Sequence, residues 1–372
     1  MSIKGLIYFL GFSLLFLSCG SGEKRTQVRP VFSLSDYYST DPRLDRLVDS
    51  VFTLLTPSER IGQMIFTSAG TTGKPTKSVE NLISKKAIGG VLMLSGEKSQ
   101  LTKLAERFDS LAAMAGLTPL IYSADAEPSL INRKINGSVI VPPTVELQTI
   151  AKTHEVATLI SNELRSMHIR YNYAPVVDLS SGNPAIKNRS FGEDSTTVKS
   201  LALEFIQTSE EKGIVTSAKH FPGHGLVSGD THHQLVTIDG EMREAPMYKE
   251  LIQSGIITVM VGHIAVINNS EYDTDGLPAS CSRKIVTGLL RNTLGFKGII
   301  TTDAMNMGAL KSIENPSLKA MEAGCDMILM EPNELLLLDL AAAKYAENPA
   351  FRQQIDESVK RILRLKMCLN LF

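Results

Sequence analysis

A short apolar run leads directly into a histidine cluster in the stretch Ile214-Val215-Thr216-Ser217-Ala218-Lys219-His220-Phe221-Pro222-Gly223-His224-Gly225. Residues 214–218 are small or β-branched, which is typical of a buried strand. Pro222, Gly223 and Gly225 are unfavourable inside a helix, so we expect the histidines to lie on a loop that follows the strand. Loops held in place by a strand often carry catalytic side chains.

Seven other apolar runs have the same character, and most are separated from the next by a segment with helical periodicity. Strands buried on both faces read as continuous apolar runs, and helices between them imply parallel pairing. Eight such strands in about 300 residues favour an α/β fold, a (β/α)8 barrel with a single catalytic domain; the alternative is an open doubly wound sheet. Thr56 and Pro57 predict the capped start of a further turn or helix. The seven runs are 62–66, 90–94, 119–123, 169–174, 256–261, 298–302 and 326–330, and the clearest helices are 44–55, 101–115, 150–167, 200–211, 285–294 and 355–366.

Ionisable residues follow directly after most of the predicted strands. In a (β/α)8 barrel the carboxyl ends of the strands share one rim, where active sites lie, so we expect these side chains to come together. They are Asp125, Asp178, Lys219, His220, His263, Asp303 and Glu331.

Asp303 and the pair formed by Asp230 and His232 are the candidates for catalysis. A carboxylate at the end of a buried strand is fixed in direction, as a nucleophile must be; the alternative role for Asp303 is a helix N-cap. Asp230 lies two residues before His232 on a glycine-flanked loop, where a carboxylate can orient an imidazole and raise its pKa. The alternative for this pair is a solvated turn. The adjacent His233 is expected to be structural or exposed.

A zinc site is a second interpretation of the histidine cluster. His220, His224, Asp230 and His232 are residue types that zinc commonly takes as ligands. The proline and glycine between the first two histidines interrupt a helical spacing, and Lys219 adds an unfavourable positive charge. We therefore predict no metal.

The composition is that of an ordinary globular protein. Of the 372 residues, 43% are hydrophobic and 21% are charged, which provides ample apolar material for a core. The formal net charge of −1 gives no basic surface for nucleic acid, and we exclude that class of partner.

The N-terminus has the pattern of an export signal. Lys4 precedes the apolar run 6–17, which is too short to span a membrane as a mature helix and ends shortly before Cys19. We expect residues 1–18 to be a lipoprotein-type signal peptide and Cys19 to be lipidated, with an ordinary secretory signal and an incidental cysteine as the alternative. Residues 19–40 would tether a domain at 41–372 to a membrane of the cell envelope, in the periplasm or at the outer membrane.

The histidine stretch resembles a family signature. Residues 219–225 with Asp230-Thr231-His232 are similar to the Lys-His-Phe-Pro-Gly-His-Gly…Asp-Ser-His motif of family 3 glycoside hydrolases, specifically of their β-N-acetylglucosaminidase branch. Shorter matches follow in family order between about residue 44 and residue 366. They are 61–64, 88–91, 173–178, 188–192, 260–264, 278–280 and 358–363.

The resemblance implies a retaining exo-β-N-acetylglucosaminidase, without metal or organic cofactor, that acts on peptidoglycan or chitin fragments. Asp303 would be the nucleophile, and His232, paired with Asp230, would be the general acid and then the base. A neutral base also leaves phosphate as an alternative acceptor, and a β-glucosidase or other exo-glycosidase remains an alternative activity. We expect a monomer. The residues implied to hydrogen-bond the sugar are Asp125, Arg133, Arg189, Lys219 and His220.

One loop departs from the family pattern. The family has Asp-Gln-Glu-Gly-Gly-Arg-x-x-Arg, whereas this chain has Asp-Ala-Glu-Pro-Ser-Leu-Ile-Asn-Arg at 125–133. Pro128 fixes φ where glycine leaves it free, so we expect this loop to follow a different path. The departure also leaves open a non-catalytic carbohydrate-binding lipoprotein.

Overall fold

A closed ring of eight parallel strands forms the centre of the protein in a computed structural model, which describes residues 31–179, 183 and 185–372. The strands are β1 (Ile65–Gly70), β2 (Gly90–Glu97), β3 (Ile121–Ala124), β4 (Ile135–Asn136), β5 (Tyr171–Asn172), β6 (Val215–Phe221), β7 (Val236–Asp239), β8 (Thr258–Val261), β9 (Ile264–Ile267), β10 (Ile299–Thr302) and β11 (Ile328–Leu329). Strands β4, β7 and β9 lie outside the ring. The other eight pair in chain order, β11 pairs back with β1, and a bridge between Thr301 and Met327 joins β10 to the start of the last strand. The (β/α)8 prediction is confirmed, and the doubly wound alternative is wrong.

Helices cover the outside of this barrel and account for the helical periodicity of the sequence. Thr56 caps α2 as predicted: its hydroxyl accepts the N–H of Glu59, and the Glu59 carboxylate accepts the N–H of Thr56. A helix of π type covers Lys284–Thr293. The α-helices are α1 (Pro42–Leu54), α2 (Pro57–Gln63), α3 (Thr76–Ser84), α4 (Lys98–Ala115), α5 (Ile131–Lys134), α6 (Ile150–Ser166), α7 (Ser195–Glu211), α8 (Ala245–Gln253), α9 (Pro316–Ala323), α10 (Glu334–Glu347) and α11 (Pro349–Cys368).

Strand β6 is longer than the apolar run at 214–218 indicated. It continues through Lys219 and His220 to Phe221, and all seven of its residues are buried. The prediction that His220 lies on a loop after the strand is therefore wrong. The sequence obscured the strand because lysine and histidine are usually exposed, whereas here both side chains have buried ionic partners.

The segment before α1 is part of the folded domain. Phe32, Leu34 and Tyr37 are buried in the common core, and the Arg364 guanidinium donates to the carbonyl oxygens of Tyr37 and Ser39. The compact unit begins at Phe32 and not at residue 41. The prediction that residues 32–40 belong to a tether is therefore wrong. The sequence analysis missed this because the segment is polar overall and its three buried residues are too few to form a periodic pattern. The predicted signal peptide, Cys19 and the tether up to residue 30 lie outside the described residues.

Two short strands outside the barrel hold the end of the loop that carries Asp230 and His232. Strand β7 follows that loop directly and pairs in parallel with β9, from Val236 opposite Ile264 to Asp239 opposite Ile267. The far end of the loop is therefore fixed to the connection after β8. Within the described residues, none of the helices combines the length and the apolar character that crossing a membrane requires.

Candidate active site

A cavity of about 220 Å³ opens at the carboxyl ends of the barrel strands. Its wall mixes apolar side chains with cations, carboxylates and histidines from connections that are far apart in the sequence. Such a concave site with convergent polar groups at the rim of a (β/α)8 barrel is typical of an active site. The polar groups in the wall include Asp125, Lys134, Arg189, Lys219, His220, His224, Thr231, His232, Asp303 and Asn306.

Asp303 lies at the floor of this cavity, directly after β10. Its own N–H donates to the carbonyl of Val261 at 3.0 Å, and its carboxylate accepts the N–H of Ala304 at 2.7 Å. Burial alone would raise the pKa of Asp303, but His220, His263 and the Ala304 N–H lower it to about 2. The N-cap alternative is wrong, since the next α-helix, α9, begins only at Pro316 and has Asn315 at its cap position. Asp303 is therefore an ionised, oriented carboxylate.

Asp178 fixes the orientation of the histidine stretch from behind. It is buried, and its carboxylate lies within hydrogen-bonding distance of His220 Nδ1, at 2.6 Å. It also accepts hydrogen bonds from the backbone N–H groups of His220 and His224, at 3.1 and 2.8 Å. Burial opposes the ionisation of Asp178, but the charge and hydrogen bond of His220 lower its pKa. Because Nδ1 of His220 is engaged in this way, Nε2 is the ring nitrogen left for a ligand.

A chain of alternating charges forms one wall of the cavity. Lys219 Nζ lies 2.7 Å from Asp125 Oδ1 and 2.6 Å from Glu127 Oε1. Arg189 donates to both oxygens of Glu127, at 2.8 and 2.6 Å. Burial disfavours the charge of Lys219, yet the two carboxylates raise its pKa. The charges therefore hold one another in place and remain ionised.

Asp230 and His232 form a hydrogen-bonded pair on the loop before β7. His232 Nδ1 lies 2.6 Å from Asp230 Oδ1, which also accepts the His232 N–H at 2.9 Å. Burial raises the pKa of Asp230 slightly, but these hydrogen bonds outweigh it and lower the pKa. The His232 side chain lines the cavity and is 60% exposed. The pair predicted from the sequence is thus formed, and the imidazole is free to reach a ligand.

Comparison with known proteins agrees with this geometry. Residues 56–365 match the N-terminal domain of glycosyl hydrolase family 3. The chain belongs to this family. A β-N-acetylglucosaminidase/β-glucosidase of Cellulomonas fimi is 30% identical over 304 residues, which cover 76% of this chain and 53% of that protein.

Two solved structures extend the family comparison. A family 3 β-N-acetylglucosaminidase from a Paenibacillus species has 29% identity and a TM-score of 0.79, over 85% of this chain and 63% of that one. A β-N-acetylhexosaminidase from Beutenbergia cavernae has 26% identity and a TM-score of 0.75, over 83% of this chain and 98% of that one. The chain thus spans about half of the Cellulomonas relative and nearly all of the Beutenbergia structure.

In this family 3 domain the cation from the 125–134 loop that lines the cavity is Lys134, whereas the sequence analysis predicted Arg133. Lys134 Nζ lies 2.5 Å from Asp125 Oδ2 and lines the cavity. Arg133 is exposed and does not line it. The prediction that Arg133 contacts the sugar therefore does not fit the structure. The loop that contains Pro128 leads into the short helix α5 (Ile131–Lys134), and the residue of this helix that lines the cavity is Lys134.

Three of the predicted rim residues do not reach the cavity. Asp178 lies behind His220, as described above. His263 is fully buried, with Nδ1 2.8 Å from the Ser280 hydroxyl and Nε2 3.0 Å from the carbonyl of Ala304. Glu331 accepts the Ser317 hydroxyl and the N–H of Asn333. The expectation that every polar strand end faces one site was wrong, because side chains near a strand end can point inward or outward.

Besides Lys134, two further contributors to the site were missed by the sequence analysis. Glu127 is fully buried and forms ion pairs with both Lys219 and Arg189. The signal that could have identified it is its match to the glutamate of the family's loop motif. Thr231 is buried, lines the cavity and lies 3.1 Å from Nε2 of His224. His233 is exposed, as predicted.

The described part of the chain contains no group of three or more histidine, cysteine or acidic side chains arranged to hold a metal ion. The histidines of the cluster have other partners: His220 binds Asp178, His232 binds Asp230, and His224 contacts Asn183 and Thr231. These contacts explain the cluster without a shared ligand.

Proposed function

We propose that this protein is a retaining exo-β-N-acetylglucosaminidase. The observation that carries the proposal is that Asp303 and His232, from different connections of the barrel, line one cavity at its carboxyl rim. Asp303 is an ionised, oriented carboxylate, and His232 is an imidazole hydrogen-bonded to the carboxylate of Asp230. Double displacement at a glycosidic bond needs these two functions.

In the first step, Asp303 attacks the anomeric carbon of the terminal sugar. The bond between that carbon and the glycosidic oxygen breaks, and His232 donates its proton to the departing oxygen. In the second step, His232 removes a proton from water, the water oxygen bonds to the anomeric carbon, and the ester bond to Asp303 breaks. Asp230 holds the imidazole through Nδ1 and stabilises its charged form. These steps use neither a metal nor an organic cofactor.

The charged wall is suited to a polyhydroxylated ligand. Lys134, Arg189 and Lys219 supply donors, Asp125 supplies acceptors, and charge-assisted hydrogen bonds from such groups are strong and directional. The cavity of about 220 Å³ is smaller than the roughly 300–1,000 Å³ of pockets for drug-sized ligands, which favours a small ligand over a long glycan. This supports release of one terminal residue at a time, and we propose peptidoglycan or chitin fragments as the substrates.

A second activity, on β-glucosides, is favoured by the double name of the Cellulomonas relative. Hydrolysis of 4-nitrophenyl N-acetyl-β-glucosaminide and of the corresponding glucoside, compared at equal enzyme concentration, tests the assignment. We expect kcat/KM to be higher for the N-acetylglucosaminide. A preference for the glucoside would replace the proposal, and binding of sugars without any turnover would favour a carbohydrate-binding lipoprotein. Sugar phosphate formed in phosphate buffer would identify phosphate as an acceptor.

We further propose that the protein is a lipid-anchored monomer of the cell envelope. The support is the sequence pattern around Cys19, where an apolar run ends just before a small residue and a cysteine. Incorporation of labelled palmitate into the wild type but not into Cys19→Ala tests the anchor. Sedimentation of the released domain at the mass of one chain tests the monomer.

A further inference from the structure

The loop that carries Asp230 and His232 is hydrogen-bonded directly to the connection that carries Asp303. The N–H of Gly308 donates to the carbonyl oxygen of His232 at 3.1 Å, and the N–H of Ala309 donates to that of Thr231 at 3.2 Å. Gly308 follows Asp303 on the same connection after β10. A short path of backbone therefore links the nucleophile to the acid/base loop.

The contact at Gly308 leaves no room for a side chain. A Cβ at this position would lie 2.6 Å from the carbonyl oxygens of both His232 and His233. These are backbone atoms, so they cannot rotate away, and the whole loop would have to move. The φ angle of Gly308 lies outside the left-handed region, so its backbone conformation does not require glycine. Close approach of the loop is the remaining physical reason for glycine here.

The side chain of Thr231 gives the loop a second contact, with the histidine stretch after β6. This side chain is buried and lies 3.1 Å from Nε2 of His224. The N–H of His224 donates in turn to Asp178 at 2.8 Å. The loop is thus held by two sets of contacts, while the His232 side chain remains 60% exposed.

We propose that Gly308 is a positioning residue for the acid/base function. Its missing side chain lets residues 230–233 dock on the connection after β10, and this docking sets how far His232 lies from Asp303. The inference rests on the proposed glycosidase function and adds a specific requirement to it. Displacing the loop should impair proton transfer by His232 and leave attack by Asp303 intact.

The test is the Gly308→Ala variant assayed with 4-nitrophenyl N-acetyl-β-glucosaminide. Nitrophenolate leaves without a proton, so the first step, seen as a burst, needs Asp303 alone. The second step needs a base for water but none for azide, which bonds to the anomeric carbon, breaks the ester to Asp303 and gives a glycosyl azide. We expect a retained burst, a steady-state rate lowered at least about tenfold, and recovery of the rate in azide.

Gly288→Ala is the matched control, because a Cβ there meets only the carbonyl of Arg283 at 3.7 Å. It should behave like the wild type. A second variant, Thr231→Val, removes the hydroxyl contact to His224 and should show the same burst, slow turnover and azide rescue. It decides the matter if Gly308→Ala does not fold, as judged by thermal unfolding.

Two results would overturn the proposal. One is wild-type turnover in folded Gly308→Ala; the other is a loss of burst and turnover together without azide rescue. If Gly308→Ala is unfolded, wild-type kinetics in Thr231→Val would overturn the proposal instead. Failure of the proposed function is distinguishable, because the wild type itself would then release no nitrophenol.

Discussion

The ammonium group of Lys134 lies 2.5 Å from Oδ2 of Asp125, on the side of that carboxylate opposite Lys219. Asp125 is therefore clamped between two lysines, and both cations lower its pKa against the effect of burial. The neighbouring Arg133 is exposed. The residue of this short helix whose cation faces the cavity is therefore Lys134, one position after the predicted Arg133.

Lys134→Ala should raise KM for the aryl N-acetylglucosaminide roughly ten- to hundredfold, since a hydrogen bond to a charged group contributes about 1.5–3 kcal/mol. Arg133→Ala is the matched control, with a cation of similar size removed one residue away, and it should leave KM unchanged. Steady-state kinetics of both variants decide between them. The reverse pattern would mean that the sequence match, and not the observed loop path, identifies the binding residue.

Asp303→Ala should abolish turnover while the protein stays folded, because Asp125, the other carboxylate in the described cavity wall, is already paired with Lys134 and Lys219. The measurement is nitrophenol release, with circular dichroism as the check on folding. No burst is expected either, since no glycosyl-enzyme can form. Wild-type activity in this variant would exclude the assignment of the nucleophile.

His232→Ala should retain the burst with a nitrophenyl substrate and lose about 10²–10⁴-fold in hydrolysis of an unactivated disaccharide, whose leaving group needs a proton. Azide should restore steady-state release of nitrophenol. His233→Ala is the control, because this exposed neighbour makes the same change of side chain without touching the cavity. Equal losses in the two variants would count against a specific role for His232.

Lys366 provides a prediction about stability and pH. It is fully buried, and burial lowers its pKa to about 7; its ammonium contacts Gln63 Oε1 at 2.6 Å and the Thr118 hydroxyl at 3.3 Å. Since the unfolded lysine has a pKa near 10.4, folding is penalised progressively as the pH falls from about 10.4 to 7. Lys366→Met should therefore raise the free energy of unfolding at pH 7, by on the order of a few kcal/mol, and do so much less at pH 10.

Urea denaturation of the wild type and of Lys366→Met at the two pH values measures this difference. Lys360→Met, which removes an exposed lysine from the same helix, is the control and should show little dependence of its effect on pH. A gain that is equal at pH 7 and pH 10 would show that apolar packing, and not the charge of Lys366, is responsible.

Local chemistry explains why much of the architecture could be predicted. Buried β-branched runs such as 299–302 and the capping pattern at Thr56 and Glu59 depend on neighbouring residues and on side-chain periodicity. The pair Asp230 and His232 also forms within one loop, so its spacing was sufficient. Features that depend on distant partners were missed: the burial of Lys219 in β6 requires Asp125, 94 residues away.

The sequence by itself determined the barrel, the family motif and the chemical character of Asp303, Asp230 and His232, because strand burial and short-range hydrogen bonds are written in local patterns. Only the tertiary structure decided that Lys134 and not Arg133 faces the cavity, that Phe32 begins the folded domain, and that Gly308 contacts the backbone of the loop that carries His232. Each of these depends on the path of a loop and on close contacts between distant segments. Packing in three dimensions sets such contacts, and one-dimensional periodicity carries no record of them.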